Sequence, residues 1–141
     1  MPPTKKNARR LLAAIWFGGA LILLAFFVAE HLGGRFEGRQ NEAWNWFLPT
    51  VTPITALLIA SFVTEAQQGG GPRQSADSFF VRVCAGLITV YLLLLGVTIV
   101  VSAYENSPVQ RMESANLYLS PLQGFVVAAL GAYFTKSKPE D

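Results

Sequence analysis

Residues 11–29 read LLAAIWFGGALILLAFFVA, an apolar run of 19 residues that contains no charged side chain. A helix rises about 1.5 Å per residue, so about 20 such residues cross the roughly 30 Å hydrocarbon core of a bilayer. Three further apolar stretches follow at 47–64, 79–103 and 117–135. We therefore predict an all-α fold, a four-helix transmembrane bundle in which residues 1–141 form a single integral membrane domain.

The composition and the connecting segments agree with this prediction. The chain is 52% hydrophobic and only 14% charged, whereas soluble domains carry about 25% charged residues. The segments at 31–46, 66–78 and 104–116 are polar and contain glycine or proline, which predicts loops. None of them reaches the roughly 50 residues of a small domain. The sequence therefore gives no indication of a second domain.

A basic cluster precedes the first span and consists of Lys5, Lys6, Arg9 and Arg10. Such a cluster before an apolar run is also typical of a cleaved signal peptide. The run is longer than the apolar core of most signal peptides, and the residues after it, Glu30, His31 and Leu32, do not form a small-x-small cleavage pattern. We expect the first span to be retained.

The basic residues also predict the orientation of the chain. With a cytoplasmic N-terminus, four spans return the C-terminus to the same side. Eight of the 11 basic residues then lie inside, namely Lys5, Lys6, Arg9, Arg10, Arg73, Arg82, Lys136 and Lys138. Cytoplasmic loops carry an excess of Lys and Arg, so we predict that both termini are cytoplasmic, in the plasma (inner) membrane. The N-terminal cluster would also attract anionic lipid, by about 1 kcal/mol per residue.

Proline leaves the start of two spans open to interpretation. Pro121 lies inside the fourth apolar stretch, so that helix is either kinked there or begins at Pro121 with Ser120 as its cap. Thr52 and Pro53 form a similar pair in the second stretch, again typical of a cap followed by the first helical residue. The likeness of the two pairs is also compatible with an internal repeat of two hairpins.

Ionisable side chains are found at the ends of the spans and not near their middle. Glu30 and His31 follow the first span, Glu65 ends the second, and Arg82 lies near the start of the third. Proton relays and coupled transporters place ionisable groups at membrane depth. The sequence therefore disfavours proton-coupled export.

The sequence contains no pattern that indicates catalysis or metal binding. His31 is the only histidine and Cys84 the only cysteine, and the predicted topology puts them at opposite faces of the membrane, where they cannot share a metal ion. No nucleophile and base motif or phosphate-binding loop is visible. We expect no catalytic residues, no cofactor, no metal and, with so small a basic cluster, no nucleic-acid partner.

Three polar residues near the outer ends of the spans are candidates for function: Thr52, Thr55 and Gln123. In lipid, such side chains usually hydrogen-bond to a carbonyl or to another helix. They lie close in sequence to Pro53 and Pro121, and broken helical backbone is tolerated beside a water-filled cavity. The three residues therefore either stabilise helix packing or line the vestibule of a pore.

The fourth span carries a small residue at every fourth position, namely Ser120, Gly124, Ala128 and Ala132. This small-xxx-small spacing lets two transmembrane helices approach closely. We expect this face to pack against a helix of the same chain or of a second copy, and we predict a homo-oligomer.

The absence of charge at membrane depth favours a non-enzymatic membrane subunit or scaffold. Its cytoplasmic ends would be available to a protein partner, and the lipid bilayer would surround its spans. The alternative is an oligomeric ion pore or channel lined by hydroxyl and amide residues.

Overall fold

The computed structural model describes residues 4–68 and 77–135, with the side chain of Gln68 left out. This part of the chain forms five helices. They are α1 (Lys5–Leu32), α2 (Gln40–Gln68), α3 (Ser78–Ala103), α4 (Pro108–Ser114) and α5 (Asn116–Thr135). Helices α1, α2, α3 and α5 are long and apolar enough to cross a membrane. The expectation of an all-helical chain with four such helices is confirmed.

Two helices begin earlier than the sequence analysis expected. The first starts at Lys5, where the Thr4 hydroxyl accepts a hydrogen bond from the backbone N–H of Asn7. The second starts at Gln40, so the predicted loop at 31–46 contracts to a connector at 33–39. In this connector Gly34 and Gly38 have φ of 79° and 83°, values that glycine adopts without steric cost. The polar ends of the helices extend beyond the apolar runs on which the prediction rested.

The third predicted loop, at 104–116, contains a short helix. Helix α4 is seven residues long and has Pro108 as its first residue. The missing N–H of proline has no cost there, because the first N–H groups of a helix have no helical partner. Val109 and Met112 point from α4 into the core and are buried. The period of these two apolar residues was too short a signal to be recognised in the sequence.

The prolines lie inside the helices and do not start them. Pro49 and Pro53 are within α2, and Pro121 is within α5, which begins at Asn116. The interpretation of Thr52 and Ser120 as caps is therefore wrong, as is a helix start at Pro121. Each helix has one or more turns before its first proline. In α2 most of these residues, 40–46, come from the predicted loop, whereas in α5 only Asn116 does, because the predicted span already began at residue 117. The Thr52–Pro53 and Ser120–Pro121 pairs therefore do not mark equivalent helix starts, and they no longer support an internal repeat.

The four long helices form a closed ring in the order α1, α3, α5, α2. Among the described residues, α1 packs most extensively on α3 and only lightly on α2. Within the same residues, α1 does not pack along α5 and α2 does not pack along α3, so these are the two diagonal pairs of the ring. The short helix α4 lies against α2, α3 and α5 at one end of the bundle. The core runs the length of the bundle and includes Trp16, Phe27, Leu58 and Ile88.

Helices α1 and α3 approach closely through glycine. A Cβ atom built on Gly19 would lie 2.6 Å from Cδ1 of Leu92, and one on Gly96 would lie 3.3 Å from Cδ2 of Leu23. Each glycine thus accepts a leucine of the opposite helix, which is how small residues allow transmembrane helices to pack tightly.

The outer surface of the bundle is apolar. Ile22 is 71% exposed, and Leu21 and Leu93 are each 63% exposed. Soluble monomers rarely expose continuous apolar patches of more than a few hundred Å², whereas a bilayer covers such a surface at no cost. The exposed leucine and isoleucine side chains therefore agree with a membrane location.

Candidate functional site

The proline in the middle of α2 leaves a backbone carbonyl without its helical partner. Pro53 has no N–H, so the carbonyl of Pro49, four residues earlier, cannot accept the usual helical hydrogen bond. Gln123 of α5 supplies the replacement, because its Nε2 donates to the Pro49 carbonyl over 2.8 Å. The same amide group lies 3.1 Å from the carbonyl oxygen of Thr50 and donates to it as well.

A second side chain reaches the same break from α3. The hydroxyl of Tyr91 donates to the Thr50 carbonyl over 2.7 Å, and Tyr91 is only 1% exposed. Helices α2 and α3 are diagonal in the ring, so this hydrogen bond crosses the centre of the bundle. The break in α2 is therefore held by one side chain of α5, which adjoins α2, and by one side chain of α3, which lies diagonally across the bundle.

The structure separates the three polar residues that the sequence analysis grouped. Gln123 lies between α5 and α2 at the proline break. Thr55 faces α1, where its hydroxyl accepts a hydrogen bond from Nε1 of Trp16 over 2.9 Å and donates to the carbonyl of Val51. Thr52 is exposed, and its hydroxyl donates to the carbonyl of Leu48 in its own helix. These residues do not line one common surface.

A polar cavity of about 180 Å³ lies beside Gln123, between α2, α3 and α5. Its buried wall is formed by Trp46, Thr50 and Tyr91, and its rim by exposed residues of α2 and α5. The remaining lining residues are Asn45, Pro49, Asn116, Leu119, Ser120 and Gln123. The indole Nε1 of Trp46 donates to Oδ1 of Asn116 over 3.1 Å, which joins α2 to the start of α5. All the lining residues are uncharged.

The small-residue face of α5 is not covered by residues 4–68 or 77–135. Ser120, Gly124, Ala128 and Ala132 are all exposed. A Cβ atom built on Gly124 would meet no atom within 4 Å. Within the part of the chain that the structure describes, two helices approach closely instead at Gly19 of α1 and Gly96 of α3.

Arg9 forms an ion pair at the opposite end of the bundle from α4. Its Nη1 lies 2.5 Å from Oε2 of Glu65, and its side chain is only 14% exposed. The guanidinium also lies 5.9 Å from the centre of the Phe134 ring. Lys6 and Arg10 are exposed. Arg9 thus connects α1 to α2 and α5, a role that the sequence analysis missed because it treated the four basic residues as one group.

The other end of the bundle carries the remaining ion pairs and an aromatic cluster. His31 accepts a hydrogen bond at Nδ1 from Nε1 of Trp44 over 3.3 Å, and the ring of Phe27 stacks on that of Phe47. Ion pairs join neighbouring segments at Glu30 with Arg35, Arg39 with Glu42 and Glu113, and Glu105 with Arg111. The hydrogen bond to Glu105 raises the pKa of Arg111.

Metal ligands are not assembled in the described ranges, 4–68 and 77–135. No group of three or more His, Cys, Asp and Glu side chains lies close enough together there to hold a metal ion. Cys84 is buried and free.

No protein-family model, curated protein sequence or solved structure matches the chain.

We expect Gln123→Leu to destabilise the bundle by about 1 kcal/mol, because it removes the donor that replaces the missing helical N–H at the Pro49 carbonyl. Thermal unfolding of the purified protein in detergent measures the effect. The matched control is Gln110→Leu, at an exposed position of α4. Equal unfolding temperatures for the two variants would show that the hydrogen bond from Gln123 to the Pro49 carbonyl does not stabilise the bundle.

Arg9→Gln and Arg10→Gln each remove one basic residue from the N-terminus, so they change the topology signal equally. Only Arg9→Gln breaks the ion pair with Glu65 and the contact with Phe134. We expect Arg9→Gln to lower the free energy of unfolding by about 1 to 3 kcal/mol, between the values for exposed and buried pairs. Denaturation by SDS compares the two variants, and equal losses would show that the ion pair does not stabilise the fold.

Proposed function

We propose that the chain is a small multi-pass integral membrane protein that acts as a non-enzymatic subunit or scaffold. The proposal is supported chiefly by the polar side chains that hydrogen-bond from one span to another. Gln123 and Tyr91 hold the proline break of α2, and Trp16 donates to Thr55 between α1 and α2. A bundle whose polar groups are committed in this way is built for a fixed arrangement of its helices.

The proposal includes a homo-oligomer that forms through the exposed small residues of α5. Gly124 and Ala128 leave the surface of this helix open to a close neighbour. A second transmembrane helix packs well on such a surface because it gains van der Waals contact with the backbone. Assembly through this face would leave the cytoplasmic ends of each copy available to a protein partner.

We place both termini in the cytoplasm and the protein in the plasma (inner) membrane. The excess of basic residues at the end that contains the N-terminus supports this orientation. The opposite end carries Glu30, Glu42, Glu105 and Glu113, which are paired with arginine there.

A pore is the second candidate function, and the polar cavity beside Gln123 favours it. Asn45, Ser120 and Gln123 offer hydrogen-bonding groups that water could use. In a pore, this cavity would be the outer vestibule. The positions of Thr52 and Thr55 outside the cavity favour the scaffold.

Leakage of ions from liposomes separates the two functions. We expect liposomes that contain the purified protein to retain sodium, potassium and chloride as well as empty vesicles do, because the scaffold has no path for ions. Ion-selective leakage that depends on the protein would contradict the scaffold and support the pore. In that case Gln123→Leu should change the leakage rate, and Thr52→Val should not.

Assembly is tested by Gly124→Ile and Ala128→Ile, which place a bulky side chain on the small-residue face. We expect both variants to run as smaller particles than the wild-type protein in light scattering of the detergent-solubilised complex. The control is Phe125→Ile, at a neighbouring position that is 65% exposed. A complex of wild-type size in both test variants would contradict the proposed interface.

Orientation is tested by cysteine labelling in a Cys84→Ala background. Asn106→Cys and Asn7→Cys place single thiols at exposed positions near opposite ends of the bundle. We expect a maleimide that cannot cross membranes to label the first variant in intact cells and the second only after lysis. The reverse pattern would show that the chain is inserted the other way.

A further inference from the structure

The polar cavity between α2, α3 and α5 lies beside the start of α5, toward the end of the bundle that contains α4. It extends from Asn116, the first residue of α5, to Gln123, a distance of about 10 Å along the helix axis. The indole of Trp46 forms part of its wall, and tryptophan is enriched at the membrane interface. Asn45 and Ser120 at the rim are exposed, so the cavity is open to the surroundings at this level.

The free hydrogen-bonding groups in the cavity define the chemistry of a ligand. Within the described residues, no hydrogen bond engages the side-chain amide of Asn45, the hydroxyl of Ser120 or the Nδ2 of Asn116. Amide and hydroxyl side chains each offer both donors and acceptors. Their natural complement is a group with both properties, and the hydroxyl group is the commonest such group in lipid headgroups.

The uncharged lining and the volume of the cavity restrict further which ligands can bind. A charged ligand would meet no counter-charge in the lining and would lose part of its hydration on entry. The cavity volume of about 180 Å³ is enough for a small group of several non-hydrogen atoms. A glycerol unit or one edge of a sugar ring is of this size.

We propose that this cavity is a binding site for an uncharged, hydroxyl-bearing group, supplied either by a lipid headgroup or by a free polyol. The amides of Asn45 and Asn116 and the hydroxyl of Ser120 bind the hydroxyl groups, and Trp46 and Tyr91 form the apolar wall behind them. The side chains of Gln123 and Tyr91 keep the cavity open by holding the proline break in place. The site is independent of whether the chain acts as a scaffold or as a pore.

The lipid source is tested with purified protein in nanodiscs of phosphatidylcholine with either phosphatidylglycerol or phosphatidic acid. Both added lipids are anionic, phosphatidic acid the more so because it is a phosphate monoester, and only phosphatidylglycerol carries alcohol hydroxyl groups in its headgroup. Native mass spectrometry counts the lipids that each sample retains. We expect phosphatidylglycerol to be preferred by about fivefold for each hydrogen bond formed. The basic N-terminus attracts both lipids and cannot produce this difference.

The free source is tested by saturation-transfer NMR with glycerol, in an amine-oxide detergent that has no hydroxyl groups to compete. In both experiments Asn45→Leu blocks the rim, and Asn41→Leu, an exposed position one turn earlier in α2 outside the cavity, is the matched control. We expect Asn45→Leu to abolish the signal and Asn41→Leu to retain it.

The two experiments together decide the proposal. A preference for phosphatidylglycerol that Asn45→Leu removes supports a lipid headgroup as the ligand, and saturation transfer to glycerol that Asn45→Leu removes supports a free polyol. If the wild-type protein shows neither signal, or if Asn45→Leu and Asn41→Leu give the same signal in both experiments, the proposal is overturned. Thermal unfolding of both variants confirms that each is folded.

Discussion

The bundle depends on the hydrogen bonds that complete the proline break in α2. Pro53 leaves the carbonyl of Pro49 without a helical partner, and a backbone group without a partner in the membrane costs several kcal/mol. Gln123 and Tyr91 supply donors at this point from α5 and α3. A hydrogen bond of this kind requires a defined depth and rotation of each helix. The break in one helix therefore determines how two others are positioned.

The same reasoning separates the functions considered for the chain. Polar residues in transmembrane helices are often a sign of a path for ions or substrates, but here Gln123, Tyr91 and Thr55 have partners within the bundle. Free amide and hydroxyl groups lie together in one cavity, at Asn45, Asn116 and Ser120. The proposals of a scaffold and of a site for a hydroxylated group both depend on this division of the polar side chains. A pore would need these groups to continue through the bundle.

The number of spans could be predicted from the sequence because apolar length is a local property of the chain. The start of α5 at Asn116 lies one residue from the predicted boundary, whereas the start of α2 at Gln40 lies seven residues before it, because the polar residues there form helix outside the apolar run. The partner of Gln123 is more than 70 residues away in sequence, and no local pattern relates the two. The ion pair of Arg9 and Glu65 could have been predicted, because the predicted topology places both residues at the same end of the bundle.

A double-mutant cycle of Pro53→Ala and Gln123→Leu measures whether Gln123 completes the proline break of α2. Alanine at position 53 restores the N–H that the Pro49 carbonyl lacks, so Gln123 is no longer needed there. The account predicts that Gln123→Leu lowers the free energy of unfolding in the wild-type background and that this loss is smaller by about 1 kcal/mol in the Pro53→Ala background. The same loss in both backgrounds would show that Gln123 does not compensate for the proline, and would contradict the account.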